Sequence, residues 1–192
     1  MRNVEKEILT PIQPRLRARP VLEVRAEGRL VERKFLGILR LQVIEWDNVI
    51  QAQLCEHLGT LPEASAFVEH HGLRIHWISP KEYLVILEEG GDEQCVIDLL
   101  ADLPVLISVI SDSRITFSLK GEVVPKILAQ RCGLDLHPSV FVVGCSTVTR
   151  VAGLSVMVVR VDSLVYEVSM DRSYGQYFWE WFEQGFSCFE MS

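Results

Sequence analysis

Two short apolar strand pairs, 81 residues apart, constrain this chain more than any other feature of its sequence. Gly72-Leu73-Arg74-Ile75-His76-Trp77-Ile78 lies over Gly153-Leu154-Ser155-Val156-Met157-Val158-Val159. At the same offset, Tyr83-Leu84-Val85-Ile86-Leu87 matches Leu164-Val165-Tyr166-Glu167-Val168 in character. The turns inside each pair, such as Ser79-Pro80-Lys81-Glu82, are too short for a crossover, so the strands must run antiparallel. A helical segment follows each meander, which gives an α+β fold with helices gathered on one face of each sheet.

The rest of the chain fits a tandem duplication of a strand-helix-strand-helix unit. Leu36 to Val43 is β-compatible. Asp47 is placed to cap a helix carrying Ile50, Leu54 and Leu58, with Gly59 as its C-terminal glycine. Asp92 caps a second helix through Val96, Ile97 and Leu100. The second half repeats the order: a strand at Ile115–Leu119, a helix through Val123, Val124, Ile127 and Leu128 ending at Gly133, three strands between Ser146 and Ser169, and a helix starting near Asp171. Three parts follow: a basic, proline-containing arm at 1–33, a first α+β unit at 34–110 and a second at 111–192. Each unit alone is too small to bury much surface, so the two are expected to share one core.

The arm stands out by charge. Residues 1–33 carry eight basic and five acidic side chains, a net +3, against −7 for the whole chain and so −10 for the remainder. Pro14 to Pro20 disfavour a helix there. Arg15, Arg17 and Arg19 are therefore candidate contacts with a partner. The acidic body argues against nucleic-acid binding. No stretch reaches the ~18 apolar residues of a membrane span, and MRNVEKEILT lacks a signal-like apolar core. Five cysteines without a CxxC pair read as reduced thiols, which points to the cytoplasm.

The chemistry-bearing residues form no recognisable motif. Phosphate-binding glycine patterns and a nucleophile elbow are absent from the sequence. His70 and His71 are adjacent and would point apart on a strand. His76 reads as a structural strand histidine. Cys132 and His137 are too few for a zinc site. Cys145 sits in strand-like flanks and reads as an inert thiol. Asp112 and Arg114 read as a pair across a turn. We therefore assign no catalytic, cofactor-binding or metal residue. In the last helix Tyr174, Tyr177, Phe178, Trp181 and Phe182 form a stripe toward the core, which leaves Trp179 on the outer side as a further candidate partner contact.

Leu128-Ala129-Gln130-Arg131-Cys132-Gly133-Leu134-Asp135-Leu136-His137-Pro138-Ser139-Val140-Phe141 resembles a signature loop of the gamma subunits of heterotetrameric sarcosine oxidases. Asp171-Arg172-Ser173-Tyr174-Gly175-Gln176-Tyr177-Phe178-Trp179-Glu180-Trp181 is similar to that family's C-terminal helix, and Gly144-Cys145-Ser146-Thr147 to a strand start between them. The likeness covers residues 112–184 well, Glu32–Leu87 loosely, and the arm not at all. It implies a fold like the folate-binding domains of the glycine-cleavage aminomethyltransferase. It also implies a packing role beside alpha and beta flavoprotein chains. Those larger chains hold FAD, FMN, NAD and folate, and a small delta chain holds zinc. The gamma chain holds none of these. The local chemistry of the loop is structural: Gly133 is free to take positive φ, Asp135 to bond its own turn, and His137 precedes a proline.

Two other readings stay open on sequence. One is a stand-alone folate-binding protein of the same fold. Such proteins share Lys-Gly-Cys-Tyr-x-Gly-Gln-Glu, and Gln130-Arg131-Cys132-Gly133-Leu134 departs from it. The other is a homo-oligomer that kept the fold and lost the partners.

Overall fold

The computed structural model describes residues 21–24, 28–33, 37–88 and 91–190. Strands β1 (Val21–Val24), β2 (Gly28–Arg33) and β3 (Gly37–Val43) lead to helix α1 (Asn48–Leu58). Then come β4 (Phe67–His70), β5 (Leu73–Ser79), β6 (Glu82–Leu87), α2 (Glu93–Leu99) and β7 (Val105–Val109). The second half runs β8 (Arg114–Lys120), α3 (Val124–Ala129), β9 (Ser146–Val151), β10 (Leu154–Asp162), β11 (Val165–Asp171) and α4 (Gly175–Glu190). The expected caps are present. The Asp47 carboxylate accepts from the N–H groups of Val49 and Ile50, and Asp92 accepts from that of Gln94.

The strands form two sheets, ordered β4-β5-β6-β3-β7 and β1-β2-β8-β11-β10-β9, with every pairing antiparallel. If β3-α1-β4-β5-β6 is matched to β8-α3-β9-β10-β11, both sheets place the matched strands in one order. The place of β7 beside β3 is then held in the larger sheet by β2 beside β8. The β4–β5 and β9–β10 hairpins also turn alike. His71 and Gly72 have φ 48° and 80°, and Ala152 and Gly153 have φ 52° and 84°. Positive φ at both central residues is what a two-residue type I′ turn needs.

Helices cover the outer faces of both sheets. On the smaller sheet, Leu39, Leu41, Ile75, Tyr83 and Val85 pack with Leu54 and Leu58 of α1 and Val96 of α2. On the larger, Leu30, Phe117, Val158, Tyr166 and Val168 pack with Ile127 of α3 and Phe178 and Phe182 of α4. The inner faces meet through Ile38, Leu84 and Ile86 on one side and Met157 and Val159 on the other.

Four expectations need correction. Residues 21–24 and 28–33 lie within the proposed arm yet are strands of the larger sheet, because Leu30 is fully buried beside Leu119. β4 and β7 are strands that the sequence reading passed over. Helix α3 stops at Ala129, and Gly133 is not among the glycines at positive φ. The chain instead leaves the helix to bridge Cys132 to Val151, with the Ala152 N–H donating to the Arg131 carbonyl at 3.0 Å. Finally, the buried stripe of α4 is Phe178, Trp179, Phe182 and Phe186, while Tyr174 and Tyr177 are about half exposed. Trp179 is 7% exposed and packs on Phe117 with ring centroids 5.9 Å apart, so it is a core residue and not an outward one. Phe182 and Phe186 lie three and seven positions beyond Trp179, which puts all three on one helical face.

Candidate functional site

Two regions concentrate polar side chains where water is scarce: one end of the seam between the sheets, and the loop before β9. At the seam, Arg74 of β5 donates from Nη1 to Oε2 of Glu167 on β11 at 2.6 Å, and Arg33 of β2 donates from Nη1 to Oε1 at 2.6 Å. Arg33 also binds Glu88, and the Arg74 Nε donates to Glu69 at 2.9 Å. The Arg74 guanidinium lies over the Phe67 ring, 5.4 Å from its centroid. Arginine suits this place because its planar fork satisfies two carboxylates at once and stays charged. Held by a guanidinium from each sheet, the Glu167 carboxylate ties the two sheets together.

Further along the seam the His76 Nδ1 meets the Ser146 Oγ at 2.8 Å, with neither residue measurably exposed. Burial, with a smaller contribution from the Arg74 charge, pushes the His76 pKa down to about 3. The imidazole is therefore neutral at physiological pH, stacked on Phe67 at 5.2 Å. Backbone bonds close the same corner. The Phe67 N–H donates to the Gly144 carbonyl at 3.1 Å, and that of Ser146 to the Ser65 carbonyl at 2.9 Å. Cys145 lies in this bridge, half-buried and opposite Ala66.

In the loop, Arg160 of β10 is 6% exposed and donates to three carbonyls: Phe141 at 2.7 Å, Ser163 at 2.9 Å and Pro138 at 3.3 Å. The Asp135 carboxylate accepts from the His137 N–H at 2.9 Å, as expected of an Asx turn, and His137 Nδ1 meets the Ser139 Oγ at 2.7 Å. This fixed loop leaves Val140, Val142 and Val143 about half exposed. Arg160 was not legible beforehand, because its place on β10 looks like that of any surface arginine.

The remaining sequence candidates do not converge. Cys132 accepts from the Leu134 N–H at 3.4 Å, away from any ligand set. His71 leaves the strand at φ 48°, so its ring meets that of His70 edge-on at 4.0 Å, contrary to the expected divergence. Arg114 binds the Ser169 carbonyl at 3.2 Å, and Arg172, not Arg114, reaches the Asp112 backbone. Arg15, Arg17 and Arg19 lie outside the described residues. An open depression of about 450 Å³ has Leu73, Leu87, Glu88, Val96 and Leu99 among its lining residues. Among the described residues no group of three His, Cys, Asp or Glu side chains is placed to hold a metal ion, and no helix is long and apolar enough to cross a membrane.

Known proteins resemble this arrangement at two distances. The chain superposes on a chain of the heterotetrameric sarcosine oxidase from Corynebacterium sp. U-96 in complex with pyrrole 2-carboxylate. The TM-score is 0.82 at 22% identity, over 95% of this chain and 97% of that one. It also superposes on the glycine cleavage system aminomethyltransferase T from Bartonella henselae. There the TM-score is 0.62 at 10% identity, over 82% of this chain and 46% of that one. Both likenesses describe the fold. No curated protein matches the sequence. Residues 46–187, about three quarters of the chain, match the sarcosine oxidase, gamma subunit family, and the chain belongs to that family.

Proposed function

We propose that this chain is the gamma subunit of a heterotetrameric, flavin-dependent amine oxidase of the sarcosine oxidase type, and that it contributes surface rather than catalytic groups. The observation that carries this reading is the family match over residues 46–187. The seam supports it: its central carboxylate is held by two arginines and its imidazole is neutral and buried. On this reading FAD, FMN, NAD and folate belong to alpha and beta flavoprotein partners and zinc to a delta chain, and the assembly works in the cytoplasm. With Trp179 in the core, Arg15, Arg17 and Arg19 remain the candidate partner contacts.

We further infer that the two halves descend from one duplicated unit. The shared strand order and the matching turns at His71-Gly72 and Ala152-Gly153 support this. The decisive experiment is co-expression with alpha and beta flavoprotein chains of the same organism, followed by co-purification. Stable incorporation is expected. A chain that stays apart from them and instead binds folate by itself would replace this reading with the stand-alone alternative.

A further inference from the structure

The five-stranded sheet ends at β7, and among the described residues only β3 pairs with it. The Ile110 N–H donates to the Ile38 carbonyl and the Ile44 N–H to the Pro104 carbonyl, both at 2.9 Å. Antiparallel alternation therefore turns the backbone groups of Leu106 and Ser108 toward β3, and those of Ile107 and Val109 outward. The strand reads Val-Leu-Ile-Ser-Val, with no charge or proline, and its register against β3 runs unbroken from Val105 to Val109. Leu106 is 54% exposed and Val109 is 53% exposed, on opposite faces. Proteins that work alone blunt such edges with lysine, proline or a bulge. This one is left straight and aliphatic.

The molecule itself holds a template for what covers such an edge. In the larger sheet β2 occupies the place of β7, and its outer side is paired antiparallel by β1, from Val21↔Val31 to Val24↔Gly28. The smaller sheet lacks a described strand at the matching position. We propose that the open edge of β7 receives an extended, aliphatic strand from another subunit of the oxidase, added antiparallel as β1 is added to β2. Main-chain bonds from Ile107 and Val109 provide the affinity, and side chains lying against Leu106 and Val109 provide the selectivity. This inference rests on the subunit reading above.

Hydrogen exchange followed by mass spectrometry, on the free full-length chain and on the assembled oxidase, tests it directly. The peptide spanning residues 104–110 should exchange at least about tenfold more slowly in the assembly. Val109→Pro removes an outward donor without touching the β3 ladder, and Leu106→Lys with Val109→Lys blocks the edge without altering the backbone. Both should weaken incorporation by tenfold or more while the free chain keeps its melting temperature to within a few degrees. Assembly with unchanged exchange at 104–110 overturns this inference and leaves the subunit reading intact. Failure to assemble at all overturns both. Protection already present in the free chain overturns it as well. If that protection is lost on removing residues 1–20, the chain's own terminus is the occupant. If it grows with concentration, a second copy is.

Discussion

Arg74 and Glu167 lie on different sheets, 93 positions apart in sequence, and meet at 2.6 Å with 10% and 4% of their side chains exposed. Removing one member of such a pair leaves the other charged and desolvated, a cost of about 3–5 kcal/mol for a buried pair. Glu167→Gln strands two guanidiniums, but the half-exposed Glu88 beside them allows partial screening. We expect a loss near the lower figure, about 3 kcal/mol, and a melting temperature lower by roughly 6–12 °C for a chain of this size. Calorimetry checks this. Replacing Arg33, Arg74 and Glu167 together by Met, Met and Leu should recover most of the loss.

Acid should weaken the same seam through His76. Its folded pKa of about 3 lies below the ordinary value of 6.5, so the unfolded chain binds the extra proton between those limits. Stability is unaffected above pH 6.5, falls as pH drops from there toward 3, and changes by up to about 1.4 kcal/mol per pH unit. The Asp171 carboxyl is held below its ordinary value of 3.8 mainly by hydrogen bonds from Ser173, so its contribution is lost only in stronger acid. Urea titrations at pH 7 and pH 5 should therefore differ for the native chain. They should differ much less for His76→Asn, which keeps a hydrogen bond to Ser146.

Gly185 shows how closely the last helix approaches α3. A Cβ there would sit 2.6 Å from Cγ2 of Ile127, a fully buried side chain with little room to turn. Alanine improves helix propensity by about 1 kcal/mol, whereas overpacking a core costs about 1–3 kcal/mol. Gly185→Ala should be net destabilising, by about 1 kcal/mol in chemical denaturation. Ile127→Leu moves the branch off Cβ and should restore most of that loss.

Trp179→Ala should damage folding, not recognition. Emptying a buried tryptophan site costs about 3–5 kcal/mol. Denaturant midpoints should fall accordingly, while the folded fraction still enters the oxidase as well as the native chain. A stable variant that fails to assemble would return Trp179 to the surface.

The hairpins and the caps at Asp47 and Asp92 were legible because each depends on neighbours within a few residues. The inner faces were not. Arg74, His76, Glu167 and Ser169 alternate with apolar residues as on a water-facing strand, yet they are buried because a second sheet lies against them. Period-two patterning separates two faces and says nothing about what each one meets. β2 was hidden for a related reason: its charges and the nearby prolines suggest a tail, and its partner β8 is distant, with Leu30 opposite Leu119. The rotation of the α4 stripe has a different cause. Tyrosines at 174 and 177 drew the face toward themselves, although their hydroxyl ends favour the rim.

The placement of β2 has a consequence for synthesis on the ribosome. The smaller sheet uses only strands between Gly37 and Val109, so it can close as soon as that stretch has emerged. The larger sheet needs β2, made early, beside β8, made much later. The early pair β1 and β2 must wait with the edge that meets β8 uncovered while about 80 residues are added, the kind of delay in which chaperones and aggregation compete for a nascent chain.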